Sequence, residues 1–400
     1  MSNVPKLRFK EFSGEWEENN LKKLSELITK GTTPKKFSNS GITFVKIEGI
    51  NNLSINKDKC LFIDENTHNK ELKRSILKEQ DILFAIAGSL GKVAVVTKNI
   101  LPANTNQALS IIRLKNKDYL NYILFVLQSR RMKKYIYKNL SVGAQPNLSL
   151  EQIGNFNFFL PLKQEQEKIA SFLISVDTRI KQLTKKEELL QQYKKGVMQK
   201  IFNQEIRFKA DDGSEFCDWE ETKLNNFLIE RVDYPKNVLP IYSLTIENGI
   251  IPKSERYERA FLVKDDYEYK TMKKDDFAFN PMNLRFGALA RHKEDLDVMV
   301  SKYYNIFYCN EKLNAYFAEL YFTNYDSIQY YNKMATGSLE EKKRVHFKEF
   351  LKFRFEFPCL EEQNKIANFL YSIDTKIQQT QKQLELSKEF KKALLQQMFV

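Results

Sequence analysis

Two long stretches of the chain carry apolar residues at alternating spacings of three and four. The first stretch offers Leu173, Val176, Ile180, Leu183, Leu190, Val197 and Ile201. The second offers Leu370, Ile373, Ile377, Leu384, Leu394 and Met398. This spacing is a helical seam of the coiled-coil kind. Pro161 and Pro358 stand just ahead of the two stretches, where proline is compatible with a helix start. Glu165 with Glu167, and Glu361 with Glu362, fill the first turns, while lysines crowd the last turns. Both biases suit the helix dipole. The seams break differently: Glu187 stands where the second helix has Leu384, and Ser387 where the first has Leu190. About 40 residues make a helix of roughly 60 Å, far beyond the mean of about 12 residues. Two such helices in one chain are expected to pack on each other, and if they pair antiparallel the repeat becomes a pseudo-two-fold.

The segments between them follow other periods. In the first block, Ile42 to Ile47, Asp81 to Ala87, Lys92 to Val96 and Ala108 to Leu114 predict strands. Tyr119 to Tyr137 predicts a helix with Tyr122, Phe125, Val126 and Met132 on its apolar face. In the second block, Ile241 to Leu244, Asp276 to Asn280, Ala288 to Arg291 and Tyr303 to Tyr308 predict strands. Ala315 to Tyr331 predicts the matching helix. Both blocks are therefore mixed α/β.

The helical stretches are copies of each other. Residues 161–202 and 358–399 align at a constant offset of 197, with 20 of 42 positions identical. Ordinary composition would give roughly 3. Arg8-Phe9-Lys10 with Trp16 and Leu21 recurs as Arg207-Phe208-Lys209 with Trp219 and Leu224. The blocks between show little similarity to each other. The order is variable block, constant helix, variable block, constant helix. Constant parts suggest a scaffold with a repeated partner, and divergent blocks suggest two different objects recognised.

Charge sharpens this picture. Lys plus Arg is 64 against 51 acidic residues, a formal net charge of +13, which suggests a polyanionic partner. Residues 1–200 hold 34 basic and 19 acidic side chains, or +15, and residues 201–400 hold 30 and 32, or −2. No window holds 18 consecutive apolar residues, so no membrane span is expected. The N-terminus has no apolar core of a signal peptide. Cys60, Cys217, Cys309 and Cys359 lie far apart, without metal spacing or disulfide density, and a cytoplasmic location is the expectation.

No catalytic constellation stands out. Gly88-Ser-Leu-Gly91-Lys92 has two residues between its glycines where a phosphate loop needs four, and Val93 follows where a hydroxyl is required. A tight turn between strands is expected there. Asn280-Pro281-Met282-Asn283 lacks the second proline and the aromatic of the amino-methyltransferase motif, and is read as a strand-to-loop turn. His68, His292 and His346 share no ligand spacing with one another or with cysteine. The pairs Asp265–Asp266 and Asp275–Asp276 are read as solvated turn residues.

What remains is a candidate binding surface. Lys30, Thr32, Thr33, Lys35 and Lys36 form a basic, hydroxylated loop of the kind that contacts phosphates. Lys92 follows the glycine turn, and Arg130, Arg131, Lys133 and Lys134 form a dense basic cluster. Asn104, Asn106 and Gln107 are amides able to read adenine edges. In the second block the candidates are Asn283, Arg285 and Arg291, then Lys302, Tyr303 and Tyr304, then Lys342, Lys343 and Arg344.

The doubled motif Glu-Gln-x-Lys-Ile-Ala-x-Phe-Leu-x-Ser-x-Asp-Thr-x-Ile, at Glu165 to Ile180 and Glu362 to Ile377, resembles that of the specificity subunits of Type I restriction–modification systems. Pro5-Lys-Leu-Arg-Phe-Lys-Glu-Phe with Trp16, Gly31-Thr-Thr-Pro34, Gly88-Ser-Leu-Gly-Lys-Val-Ala and Gly143-Ala-Gln-Pro-Asn-Leu-Ser are similar to family segments too. The resemblance implies an α+β chain with two target-recognition domains, at 1–160 and 205–357, and two long antiparallel coiled-coil helices, at 161–204 and 358–400, related by a pseudo-two-fold repeat. Each domain would read one half of a split double-stranded DNA site. The helices would set the gap and dock two methyltransferase subunits, with restriction subunits joining. The chain itself would hold no cofactor and no metal, since S-adenosylmethionine, ATP and Mg belong to those partners. It would be non-catalytic.

Overall fold

The computed structural model describes residues 3–140, 146–253 and 269–400. Gly143, Ala144 and Gln145 of the family-like segment, and the Asp265–Asp266 pair, lie outside the described residues. By its contacts the chain divides into two compact units, residues 1–186 with 380–400, and residues 187–379. Each unit contains one mixed domain, half of one long helix and half of the other.

The long helices span Lys163–Phe202 and Leu360–Gln397. Their seam residues are buried as the spacing requires. Leu173, Val176, Leu183, Leu370, Ile373, Ile377, Leu384 and Leu394 are all buried, and Ile180, Leu190 and Val197 are partly so. In the first unit Lys391 Nζ pairs with Asp177 at 2.6 Å, and in the second Lys194 Nζ pairs with Asp374 at 2.6 Å. Both pairs are the same pair under the 197-residue offset. Moving forward from Asp177 to Lys194 on one helix moves backward from Lys391 to Asp374 on the other, which is antiparallel pairing.

In the first unit a four-stranded antiparallel sheet runs in the order Ser25–Lys30, Leu109–Leu114, Ile82–Ala85, Val93–Val95. A two-stranded ribbon joins Glu17–Asn20 to Asn157–Leu160. A three-stranded sheet sets Ile42–Val45 between Leu61–Ile63 and Ala103–Thr105, the latter parallel to it. The main core gathers Trp16, Phe84, Tyr122, Phe125, Phe156 and Phe158 against Leu173, Val176, Leu394 and Met398 of the long helices.

The second unit repeats this plan. Its four-stranded sheet runs Leu228–Arg231, Asn305–Cys309, Phe277–Phe279, Leu289–Arg291, and its ribbon joins Glu220–Lys223 to Arg354–Phe357. Trp219, Phe277, Phe307, Phe317 and Phe322 pack against Ile201, Leu370, Ile373 and Ile377. The strand order is thus the same in two blocks whose sequences have diverged. The lesser strands differ: Tyr242–Thr245 pairs with Gly249–Pro252, and Tyr269–Met272 with Val298–Ser301.

Four expectations need correction, the first being the solvated turn at Asp275–Asp276: Asp276 is buried, accepts from Lys273 N–H at 2.7 Å and pairs with Arg231 at 2.7 Å. The helix expected over Tyr119 to Tyr137 is two helices, Leu120–Gln128 and Arg130–Asn139. Ser129 breaks it because its extended backbone lets the hydroxyl accept from Met132 N–H as an N-cap. The helix expected over Ala315 to Tyr331 likewise splits into Ala315–Phe322 and Tyr325–Met334, with Asn324 capping Ser327 N–H. The strand expected from Tyr303 begins at Asn305, because Tyr304 N–H turns back to Ser301 O at 3.0 Å. The glycine segment is the expected turn. Gly91 has φ +78° and its N–H reaches Ala85 O at 3.0 Å. A Cβ there would stand 2.9 Å from Ile136.

Candidate nucleic-acid interface

Strand register decides which loops meet. In the first unit Lys30 lies opposite Ser110, Ser110 opposite Phe84, and Phe84 opposite Val93. The loop from Lys30 to Lys36, the approach through Asn106 and Gln107, and the turn ending at Lys92 therefore all leave from one end of the sheet. Gly31 makes the first contact possible: a Cβ on it would stand 2.0 Å from Thr105 O. Thr32 N–H donates to Thr105 O at 3.0 Å, and Thr33 Oγ1 donates to Gln107 Oε1. Lys30, Lys35, Lys36 and Lys92 are exposed there. They make no ion pair with a described residue.

Three first-unit candidates have other duties. Asn104 is fully buried, with its Nδ2 donating to Leu72 O at 3.0 Å and Ser75 Oγ at 3.2 Å and its Oδ1 against His68 Nδ1. It braces the core and has no surface from which to read a base. Asn106 Oδ1 accepts from Ala108 N–H at 3.2 Å, shaping its own loop. Arg131 donates to Asn157 O at 2.9 Å and Val400 O at 3.0 Å and lies 5.0 Å over the Phe159 ring. Burial lowers its pKa from the usual arginine value. Arg130, Lys133 and Lys134 remain exposed on the helix whose Ile136 packs on Gly91.

The second unit gathers its loops the same way. Phe279 lies opposite both Asn305 and Leu289, so the turn from Asn280 to Ala288 and the residues Lys302 to Tyr304 share one sheet end. Val345 N–H donates to Pro281 O at 2.9 Å and brings the Lys342–Arg344 run alongside. Asn283, Lys302, Tyr303, Lys342 and Arg344 are exposed. Lys343 pairs with Glu340 at 2.6 Å. Tyr304 is half-buried against the core, and its carbonyl accepts from Lys270 Nζ at 3.0 Å. Arg285 is buried, paired with Glu340 at 2.8 Å and stacked 4.5 Å against Phe286. Arg291 lies opposite Phe277, at the far end of the sheet, where it pairs with Asp275 and with Glu319 at 3.0 Å. Arg285 and Arg291 are therefore internal braces. The exposed Met282 and Phe286 on the same turn escaped notice, because apolar residues in a short turn carry no period.

Among the described residues no group of three or more His, Cys, Asp or Glu could hold a metal, and no helix is long and apolar enough to cross a membrane. His68 and His292 are buried, the latter with Nε2 2.6 Å from Leu296 O.

Residues 13–191 match the family described as Type I restriction modification DNA specificity domain. Two curated relatives come from Methanocaldococcus jannaschii. A protein described as a type I restriction enzyme MjaX specificity subunit is 26% identical, over 98% of this chain and 95% of its own. The type I restriction enzyme MjaVIII specificity subunit is 25% identical, over 82% of this chain and 79% of its own. Among solved structures, the S subunit of a Type I restriction–modification system from M. genitalium superposes with TM-score 0.59 at 15% identity, over 99% of both chains. A chain from a study of assembly and conformational transition of the type I R-M system gives TM-score 0.58 at 15% identity, over 95% and 96% of the two chains. Over nearly its whole length the chain is similar to specificity subunits of Type I restriction–modification systems.

The doubled motif has a structural explanation. Arg8 donates to both carboxylate oxygens of buried Glu165 at 2.7 Å. Arg207 does the same to buried Glu362, at 3.2 and 2.7 Å. Gln166 Nε2 caps Pro161 O at 2.8 Å, and Gln363 Nε2 caps Pro358 O at 2.9 Å. In each repeat, then, the opening Arg-Phe-Lys segment is clamped to the start of its own long helix. The repeat also preserves apolar residues that are exposed. Ile174, Leu189 and Tyr193 recur at the same offset as Tyr371, Leu386 and Phe390, and all six are exposed.

Proposed function

We propose that the chain is the non-catalytic DNA-reading subunit of a Type I restriction–modification complex. Each domain reads one half of a bipartite double-stranded DNA site with the loops at one end of its four-stranded sheet. The observation that carries this reading is the retention of one sheet order, with loops gathered at the same end, under two divergent sets of loop residues. A scaffold kept constant while its rim changes is suited to recognising two different sequences.

The contact set we assign is the exposed one. In the first domain it comprises Lys30, Thr32, Thr33, Lys35, Lys36, Lys92, Gln107, Arg130, Lys133 and Lys134. In the second it comprises Asn283, Lys302, Tyr303, Lys342 and Arg344. Phosphates would take the lysines and arginines, and base edges the amides. The domain limits proposed are 1–160 and 205–357, with the helical segments 161–204 and 358–400 setting the gap.

Exposed Ile174, Leu386 and Phe390 in the first unit, and Tyr371, Leu189 and Tyr193 in the second, support docking of two copies of one partner, the methyltransferase subunit. Exposed apolar residues retained at a repeat offset are the mark of a surface used twice. Restriction subunits would join that core. S-adenosylmethionine, ATP and Mg would reside on the partners, and the complex would work in the cytoplasm.

Co-expression with the methyltransferase subunit, followed by mapping of adenine methylation across the genome, tests the reading. A bipartite motif with one fixed gap is expected, and unrelated single motifs would overturn it. Inserting four residues near Lys185 lengthens the helix by about 6 Å. The gap should widen while both half-motifs stay unchanged.

A further inference from the structure

Four side-chain amides stand among the candidate readers, and the structure separates them. Asn104 is buried and fully engaged. Asn106 Oδ1 accepts from Ala108 N–H, and Gln107 Oε1 accepts from Thr33 Oγ1. Asn283 is the exception. Its backbone is fixed on both sides: its N–H reaches Asn280 O at 3.0 Å, and its carbonyl accepts from Phe286 N–H at 2.9 Å and Ala288 N–H at 3.1 Å. Its side chain is exposed and has no hydrogen-bond partner among the described residues. A fixed backbone carrying an unengaged carboxamide is preorganised to bind, since little ordering remains to be done on contact.

The turn that holds Asn283 is built rigidly. Asn280 Oδ1 accepts from Met282 N–H at 3.0 Å. Pro281 O accepts from Val345 N–H. Buried Arg285, anchored by Glu340, lies against the Phe286 ring. On this frame Met282 is 51% exposed and Phe286 52% exposed, on either side of Asn283 in sequence. Large apolar side chains held open beside an unengaged amide are unexplained by folding. Lys302, Lys342 and Arg344 at the same sheet end supply the positive charge that complements a DNA backbone.

These groups match one base pair. Adenine presents N7 as acceptor and N6 as donor in the major groove, and a carboxamide satisfies both at once. Guanine presents two acceptors there and leaves the amide oxygen opposed by another oxygen. The thymine opposite adenine presents a C5 methyl group, which favours an apolar contact. We propose that Asn283 reads an adenine in the half-site of the second domain, with Met282 against the methyl group of the paired thymine. This inference rests on the reading of that sheet end as a DNA-facing surface.

The test uses the subunit assembled with its methyltransferase partner. The methylation motif of the parent complex is mapped first, then those of Asn283→Ala and Asn283→Asp, with thermal melting to confirm that both variants fold. Asn283→Ala should reduce discrimination at one A·T position of the second half-motif by roughly 10- to 100-fold. Asn283→Asp presents acceptors only, so preference at that position should move from adenine to cytosine, whose N4 donates. Duplexes with deoxyuridine replacing the paired thymidine, which removes only the methyl group, should bind the parent complex more weakly and Met282→Ala no more weakly than normal DNA. The first half-motif should not change. A second half-motif unmoved by either substitution overturns the assignment alone, as does a uniform loss of affinity across all sequences. Absence of any bipartite motif in the parent overturns both the assignment and the reading beneath it.

Discussion

Lys30, Lys35, Lys36 and Lys92 crowd the open end of the first sheet, while Met282, Phe286 and Tyr303 stand exposed at the same end of the second. The scaffold beneath is the same. Both units hold a buried aspartate, Asp81 or Asp276, whose carboxylate accepts a backbone N–H three residues earlier at 2.7 Å. Each aspartate meets an arginine, yet the arginines come from different strands. Arg113 belongs to Leu109–Leu114, and Arg231 to Leu228–Arg231 at the opposite side of that pairing. Burial pushes the Asp276 carboxyl above its usual value even so. The lesson is that the repeat conserves interactions rather than positions, and leaves the rim free to be electrostatic in one copy and partly apolar in the other.

The sharpest way to break this symmetry is at the clamps. Glu165 and Glu362 are both buried, so removing either arginine strands a charge and should cost about 3–5 kcal/mol. The two losses should differ. Trp219 Nε1 also donates to Glu362 at 3.3 Å, whereas the buried Trp16 indole has no such partner. Arg8→Ala should therefore destabilise more than Arg207→Ala, as read by thermal or urea unfolding of the two variants. Equal losses would remove that distinction between the copies.

Asn104 and Asn283 sharpen the contrast between bracing and reading. Asn104→Ala removes the partner of buried His68 Nδ1 and two further buried bonds, to Ser75 and to the Leu72 carbonyl, which keep each other, and should destabilise by about 2–3 kcal/mol. Its methylation motif should stay unchanged at a temperature where the variant folds. Asn283→Ala should do the reverse, altering the motif with a stability change within about 0.5 kcal/mol.

Replacing Lys30, Lys35 and Lys36 together by alanine tests the electrostatic half of the comparison. If each neutralises one phosphate, the slope of log affinity against log salt should fall by about 2.7. Replacing Lys342 and Arg344 should lower it by no more than about 1.8. A slope that changes more in the second domain would mean that the second domain, not the more basic first one, makes more of the phosphate contacts. The difference follows the sequence, where residues 1–200 carry +15 and residues 201–400 carry −2.

Much of this was legible in the chain. The seam from Leu173 to Val197 and its copy from Leu370 to Leu394 declare themselves by period, and 20 identities in 42 residues declare the repeat. Three strands of each four-stranded sheet were legible because their apolar runs end at turns, whereas the edge strands Ser25–Lys30 and Leu228–Arg231, with few buried positions, were not read. The breaks at Ser129 and Asn324 were hidden, since the apolar period continues across them and only the cap geometry reveals the stop. The parallel pairing of Ile42–Val45 with Ala103–Thr105 joins segments some 60 residues apart, and no local pattern encodes it. That same pairing buries Asn104. Whether an amide faces solvent or core is decided by such distant partners, which is why the candidate list mixed braces such as Arg291 with exposed residues such as Asn283.

The smallest expected effect concerns the helices. Tyr193 and Phe390 are repeat equivalents, both exposed, one in each unit. Phe390 also meets Phe172 edge-on, with ring centroids 6.4 Å apart. Tyr193→Ala should weaken docking of one methyltransferase copy by about 1 kcal/mol, the scale of a moderate interface contact. Phe390→Ala should weaken docking of the other copy similarly and also trim unit stability slightly, because its ring has an internal neighbour. Titration of the purified subunit with methyltransferase, followed by mass measurement of the one-copy and two-copy species, reads both. With methyltransferase near its dissociation constant, a raised one-copy fraction with either single variant, and about a fivefold weaker occupancy of both sites with the double variant, fits two equivalent docking surfaces. Loss of both copies from one substitution would mean that the two surfaces are not independent, and the symmetry inferred from the repeat would stop at the fold.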